Sequence, residues 1–280
     1  MRPEALEARG GSFPAAPSAG PRPVPFRGGG FHPKPVPFIA PLVLFLLLVL
    51  WELGSRSGVI SPIALPAPSQ AFAALMDLLR TGMLWKNLGA SLYRLVVGWT
   101  LGSLCGIAVG LLIGLFSLAR AGLLPIVSAL FPIPKIALLP LFIIWFGIGE
   151  GSKVAVILLG TFFPTVIATY GGVDGVERNL VRMGQSFGLS WFAILGKIII
   201  PGALPAILSG FRISAAIAIV LLVAAEMIGA RYGIGAYILT AGALFATDRL
   251  IAGVAILSAL GLLIGWLIGQ AERRLLNWRL

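Results

Sequence analysis

Apolar residues run along this chain in long, nearly unbroken stretches. Residues 38–53, 91–116, 123–146, 154–170, 204–228 and 250–268 each approach or exceed the ~20 apolar residues that cross a bilayer core. The pattern predicts an all-α fold, a polytopic bundle of six membrane spans. The first run is short and crosses with modest mismatch. The third holds Pro125, Pro132, Pro134 and Pro140, which predicts a kinked span whose freed carbonyls find partners among their neighbours. Between the fourth and fifth runs lies a polar island, residues 174–203, helical in pattern. It carries Glu177, Arg178, Arg182, Gln185 and Lys197, a glycine at Gly188, the aromatics Trp191 and Phe192, and Pro201 with Pro205 beyond it at the next span. A connection between two spans can be much shorter, so this one is expected to serve a partner outside the bilayer.

Small residues add a second pattern. Gly98, Gly102, Gly106, Gly110 and Gly114 recur every four residues along the second run and clear a groove where another backbone can approach. Gly261, Gly265 and Gly269 repeat the device in the last run. The spacing leaves open whether the neighbour belongs to this chain or to a second copy.

Composition agrees with the spans. The chain is 58% hydrophobic and 11% charged, with a mean hydropathy of +1.00, and a soluble domain of this size needs a larger charged surface. The net charge of +11 reads as membrane topology and contact with anionic lipid rather than as a nucleic-acid surface. With the N-terminus in the cytoplasm, the cytoplasmic side receives the tail cations, Arg120, the island, and Arg273, Arg274 and Arg279. The other side holds Arg56, Arg80, Lys86, Lys153, Arg231 and Arg249, partly offset by Asp77, Glu150 and Asp248. Both termini and the island are therefore expected in the cytoplasm. Two regions follow: a basic, Pro- and Gly-rich tail over residues 1–37, expected to be disordered and unlike a signal peptide, and a transmembrane domain over residues 38–280.

Reactive chemistry is sparse. Cys105 is the one cysteine and lies in a span, and His32 is the one histidine and lies in the tail, so neither a disulfide nor a metal cluster is expected. Gly147-Ile148-Gly149-Glu150-Gly151-Ser152-Lys153 has neither dinucleotide nor P-loop spacing and reads as a tight turn. Neither an enzyme site nor a cofactor is expected. What remains are charges at membrane depth. Lys135, in the proline-broken run, either attracts an anion crossing the membrane or caps kinked carbonyls. Glu226, near the outer end of the fifth run, reads as a gate or a structural salt bridge, with Arg231 the nearby cation. Arg94 and Arg212 stand near span ends, where snorkelling to the interface is the default expectation. The island is either an amphipathic helix on lipid headgroups or a segment that docks into a soluble protein.

The island also carries a likeness. Gly188, followed by Ile198-Ile199-Ile200-Pro201-Gly202-Ala203-Leu204-Pro205, resembles the cytoplasmic coupling loop of ABC-importer permeases. The Glu-Ala-Ala triplet of that pattern is replaced here by Arg182-Met183-Gly184. Leu65-Pro66-Ala67-Pro68-Ser69, Phe131-Pro132-Ile133-Pro134-Lys135, Ile144-Trp145-Phe146-Gly147-Ile148-Gly149 and Ala225-Glu226-Met227 are similar to the nitrate/sulfonate/taurine branch, from about residue 41 to the C-terminus. The resemblance implies an inner-membrane permease subunit working as a homodimer. Two copies of an ABC ATPase would bind the islands through Glu177, Arg182, Gln185 and Gly188, and an extracytoplasmic solute-binding protein would deliver a small anion. The competing class is an ATP-independent secondary transporter or channel, which paired broken helices at matching places would favour.

Overall fold

The computed structural model describes residues 38–277. The tail over 1–37, expected to be disordered, lies outside the described residues. The chain divides inside its first helix, after Leu47.

Helices α1 (Ile39–Arg56), α2 (Pro68–Arg80), α3 (Met83–Leu115) and α4 (Ser117–Leu130) come first, followed by a 3₁₀ turn over Lys135–Leu138. Next come α5 (Leu139–Phe146), α6 (Glu150–Asp174), α7 (Arg178–Ser186) and α8 (Trp191–Ile194). A π turn over Leu195–Ile199 leads into α9 (Ile200–Glu226), and α10 (Ile234–Ala243) and α11 (Thr247–Leu275) complete the order. Among the described residues there is no strand. Five helical stretches are long and apolar enough to cross a membrane, and the bent pair α4–α5 makes a sixth.

Two spans differ from the sequence expectation. The third is broken rather than kinked: its halves, Ser117–Leu130 and Lys135–Phe146, meet at 90°. Pro132 and Pro134 supply no amide hydrogen across the gap, so the ladder stops and restarts. The Lys135 ammonium fills the deficit by donating to the carbonyls of Leu130, at 3.0 Å, and of Phe131. The fifth span begins earlier than residue 204, because helical structure runs unbroken from Trp191 to Glu226. The π turn accommodates the prolines: the Ile200 amide reaches back five residues to the Leu195 carbonyl, just ahead of Pro201, which has no amide hydrogen to give.

Helix α6 is the central element, packed between α3 and α9. A Cβ built on Gly98, Gly106, Gly110 or Gly114 would lie 2.8, 2.7, 2.6 or 2.7 Å from the Cβ of Ile157, Thr165, Thr169 or Val173, and one on Gly102 would strike Thr161. The partners on α6 repeat every four residues, as the glycines do, so the neighbour of the glycine face is in this chain. Lipid tails are as apolar as leucine, so burying side chains gives little advantage here, and dispersion from close backbone approach holds the pair. The Thr161 and Thr165 hydroxyls donate to the carbonyls of Leu158 and Thr161 on their own helix, at 3.1 and 2.8 Å, which leaves the seam without an unpaired donor at those positions. The opposite side of α6 packs on α9, where a Cβ on Gly172 would meet the Ala203 carbonyl at 2.9 Å. The second glycine series is different. Built Cβ atoms on Gly265 and Gly269 meet nothing within 4 Å, so this chain does not use that face for close approach.

Gly106→Leu is expected to lower the yield of folded, monodisperse protein severalfold, because the side chain would meet the Phe162 carbonyl at 2.9 Å and backbone cannot yield. Gly122→Ala, with open space around it, should be neutral in the same size-exclusion and thermal-unfolding assay.

Candidate functional site

Helix α6, with its 25 residues, is about 37 Å long and separates two polar ends. At its N-terminal end the charges converge. Arg94 of α3 is 2% exposed and Glu226, the last residue of α9, is 1% exposed. The Arg94 Nη1 donates to Glu226 Oε1 at 2.7 Å and to the Tyr232 carbonyl at 2.8 Å. Its Nε and Nη2 donate to the two oxygens of Glu150 at 2.6 and 2.7 Å, a bidentate pair at the first residue of α6. Every carboxylate oxygen of Glu226 is also used. The Ser91 hydroxyl lies 2.8 and 3.0 Å from them, and the Gly235 amide donates to Oε2 at 2.9 Å.

The Glu226 carboxylate thus caps the N-terminus of α10, where a negative charge is favoured by the helix dipole. Asn87 and Ser91 complete the cap by accepting from the amides of Gly233 and Ile234 at 3.0 and 2.9 Å. Gly233, at φ +146°, must be glycine, since a Cβ would fall on the Glu226 carboxylate. Lys153, buried one turn into α6, donates to the carbonyls of Ile148 and Gly149 at 2.6 and 3.0 Å and holds the α5–α6 turn against the cluster. One guanidinium therefore ties α3, α6, α9 and the start of α10 together. Nearby, Trp51 Nε1 and the Ser55 hydroxyl donate to the Pro66 and Leu65 carbonyls at 3.0 and 3.1 Å, fastening the end of α1 to the Leu65-Pro66-Ala67-Pro68-Ser69 segment.

Two expectations about charges are corrected. Glu226 pairs with Arg94 and not with Arg231, whose guanidinium instead stacks over the Tyr232 ring at 5.5 Å as the chain turns away after Gly229. Arg94 does not snorkel, because buried Glu226 and half-exposed Glu150 both meet it where it stands. Arg212 stays at the surface, its side chain 57% exposed and paired with Glu272 of α11 at 2.7 Å. Lys135 takes the carbonyl-capping role, with Phe163 beneath its ammonium at 4.6 Å.

At the other end of α6 the island emerges. Arg120 bridges to Asp174 at 2.9 Å where α6 ends, and the Phe116 and Trp191 rings lie 6.2 Å apart. Glu177 stands at the N-cap of α7 without a side-chain capping bond, and Arg182 and Gln185 are exposed along it. Gly188, at φ +72°, makes the reversal that ends α7. The amides of Gly188 and Leu189 return to the carbonyls of Gln185 and Gly184 at 2.9 and 3.0 Å and close the end of α7. The Ser190 hydroxyl accepts from the Ala193 amide at 3.3 Å and opens α8. Gly184 is buried, and a Cβ there would meet Ile198 Cδ1 at 2.9 Å, so α7 folds onto the π turn that carries Lys197. Pro201 lies in the first turn of α9 and Pro205 inside it.

Ser91 and Gly235 were not picked out from sequence as partners of Glu226, nor Asn87, Lys153 and Gly233 as parts of the cluster around it. One signal was present: Asn87, Ser91 and Arg94 recur at helical spacing on one face of an otherwise apolar run.

A polytopic helical bundle with a charged cluster closing one end and a two-helix loop projecting from the other is the framework of a membrane transport subunit. A family model for the inner membrane component of binding-protein-dependent transport systems matches residues 102–277, more than half of the chain, and the chain belongs to that family. It is 38% identical over 240 residues to the taurine transport system permease protein of Escherichia coli (strain K12), covering 84% of this chain and 87% of that one. It is 36% identical over 234 residues to a putative aliphatic sulfonates transport permease of Bacillus subtilis (strain 168), covering 84% and 85%. In fold it is similar to a chain of the MetNI methionine ABC transporter in inward-facing conformations, with a TM-score of 0.60 at 21% identity over 69% of this chain and 96% of that one.

Glu226→Gln is expected to destabilise the protein by about 1.5–3 kcal/mol, because Arg94 loses a buried charged acceptor but keeps Glu150 and the Tyr232 carbonyl. Glu150→Gln should cost less, since the Glu150 side chain is 53% exposed and water can replace it. Unfolding midpoints in detergent measure both, and equal losses would contradict this division of labour.

Proposed function

We propose that this chain is the membrane-spanning subunit of an ATP-driven importer that moves a small anionic solute of the aliphatic sulfonate, taurine or nitrate type into the cytoplasm. The observation that carries the reading is the exposed two-helix loop at 174–203, built on the C-terminal end of α6 and continuous with α9. A segment whose α8 runs without a break into a membrane span transmits force along that span, because a helix is stiff along its axis. Two ATPase copies would each seat one loop of a homodimer, and closure of the ATPase pair on ATP would shift the spans between inward and outward access. The names of the relatives support the taurine and aliphatic sulfonate members of that class. The subunit lies in the inner membrane with both termini and the loop in the cytoplasm, and an extracytoplasmic binding protein docks at the Arg94 end.

Glu226 with Arg94 is the gate in this scheme. The pair joins α9, which begins at the loop, to α3 and α6, so a shift of α9 pulls on a bond buried at the far end. Lys135, at the break between α4 and α5, is the cation assigned to the path of the anion in this scheme.

Two measurements test this. In a Cys105→Ala background, a cysteine placed at Ser69 should react with a membrane-impermeant maleimide in intact cells and one placed at Ser186 should not. The reverse pattern overturns the orientation. Gly188→Asp is expected to abolish co-purification of the cognate ATPase and solute uptake while insertion is retained, since φ +72° is strained for any side chain. Normal uptake by that variant would remove the loop from the mechanism.

A further inference from the structure

The projecting loop presents two faces on opposite sides of α7. Leu180, Met183 and Phe187, which are 45%, 54% and 79% exposed, share one side. They border a groove of 390 Å³ whose far wall is Ile198 and Pro201, with Lys197 at its edge. Arg178 and Arg182 stand four residues apart and are exposed, about 150° around the helix from the apolar side. Among the described residues no carboxylate forms an ion pair with Arg178, Arg182 or Lys197. Against these three cations the loop itself offers Glu177, because Asp174 is already held by Arg120.

A helix lying on lipid headgroups also sets its cations opposite its apolar side, so it is the groove that separates lipid from protein. The apolar side of α7 faces Ile198 and Pro201 across a concave recess instead of lying open to an acyl layer. Such a recess suits an inserted side chain.

We infer that the surface receiving this loop is acidic: a carboxylate of the ATPase pairs with Arg182, with Arg178 beside it, and an apolar side chain of the same protein enters the groove between α7 and the start of α9. The inference rests on the proposed coupling to an ATPase and adds the sign of its docking cleft. The exposed loop offers a cation at 182, so the partner surface must present the opposite charge there, or pay the cost of a desolvated guanidinium with nothing to meet it.

The test uses the full-length permease in nanodiscs of zwitterionic lipid and the cognate ATPase. Arg182→Glu is expected to weaken ATPase binding roughly tenfold or more, and the wild-type affinity should fall as ionic strength rises. Arg182→Lys keeps the charge and provides an amine, so a zero-length carbodiimide should couple it to an aspartate or glutamate of the ATPase. Met183→Asp, in the apolar face, separates the two readings. If Met183→Asp abolishes binding while Arg182→Glu leaves it unchanged, docking stands and the acidic cleft is overturned. If neither variant alters binding, both fall. A loss by Arg182→Glu confined to nanodiscs with anionic lipid would assign the cations to headgroups, and coupling of Arg182→Lys to Glu4 or Glu7 of the chain's own tail would give the surface to that tail. Each of these two results overturns the inference.

Discussion

The close approach of α3 to α6 is the constraint on which the rest of the molecule depends. In a bilayer there is little to gain from removing apolar surface from its surroundings, so two helices associate only as far as their surfaces fit. The five glycines of α3, seated against Ile157, Thr161, Thr165, Thr169 and Val173, make that fit by bringing the backbones together without intervening side chains. The contact fixes the rotation of both helices. With that rotation fixed, Arg94 faces Glu150 and the end of α9 at one extreme, and Arg120 meets Asp174 and Tyr170 at the other.

The two polar ends differ in kind. At the Arg94 end, the charges of Arg94 and Glu226 are buried and used in full: with half-exposed Glu150, a serine, an asparagine and three amides they satisfy one another around the start of α10. A buried pair of this sort adds little stability compared with an apolar alternative, but breaking one side of it is costly. It therefore suits a contact that is either made or released as a unit. At the loop end the charges of α7 are exposed and uncompensated, and the apolar side chains beside them have no cover. Such a surface is incomplete by itself. The π turn and Pro201 sit between the two regimes, at the point where the loop becomes a span.

The broken third span illustrates how irregular backbone is tolerated at membrane depth. Pro132 and Pro134 leave carbonyls without donors, and Lys135 supplies an ammonium from the next residue along. Its charge is stabilised in turn by the Phe131 and Phe163 rings. The same residue can serve the backbone and still leave a positive field at the break, so the structural role and an influence on a passing anion are compatible.

Much of this was legible in the chain. The apolar runs set the number of spans, since their length matches the bilayer and no other class of fold tolerates them. The four-residue glycine spacing announced a close helix contact, because it is a local property of one helix. The identity of the glycine partner was not local. Tertiary packing selected α6 within the chain for the first series and left the face of Gly265 and Gly269 unused. The ion pairs followed the same rule. Sequence proximity suggested Arg231 for Glu226, yet the chain turns away at Gly229 and the carboxylate meets Arg94, 132 residues earlier. Charges at membrane depth could be listed from sequence alone. Which of them neutralise one another was decided only by the packing of α3, α6 and α9, because a buried charge takes the partner that geometry brings to it.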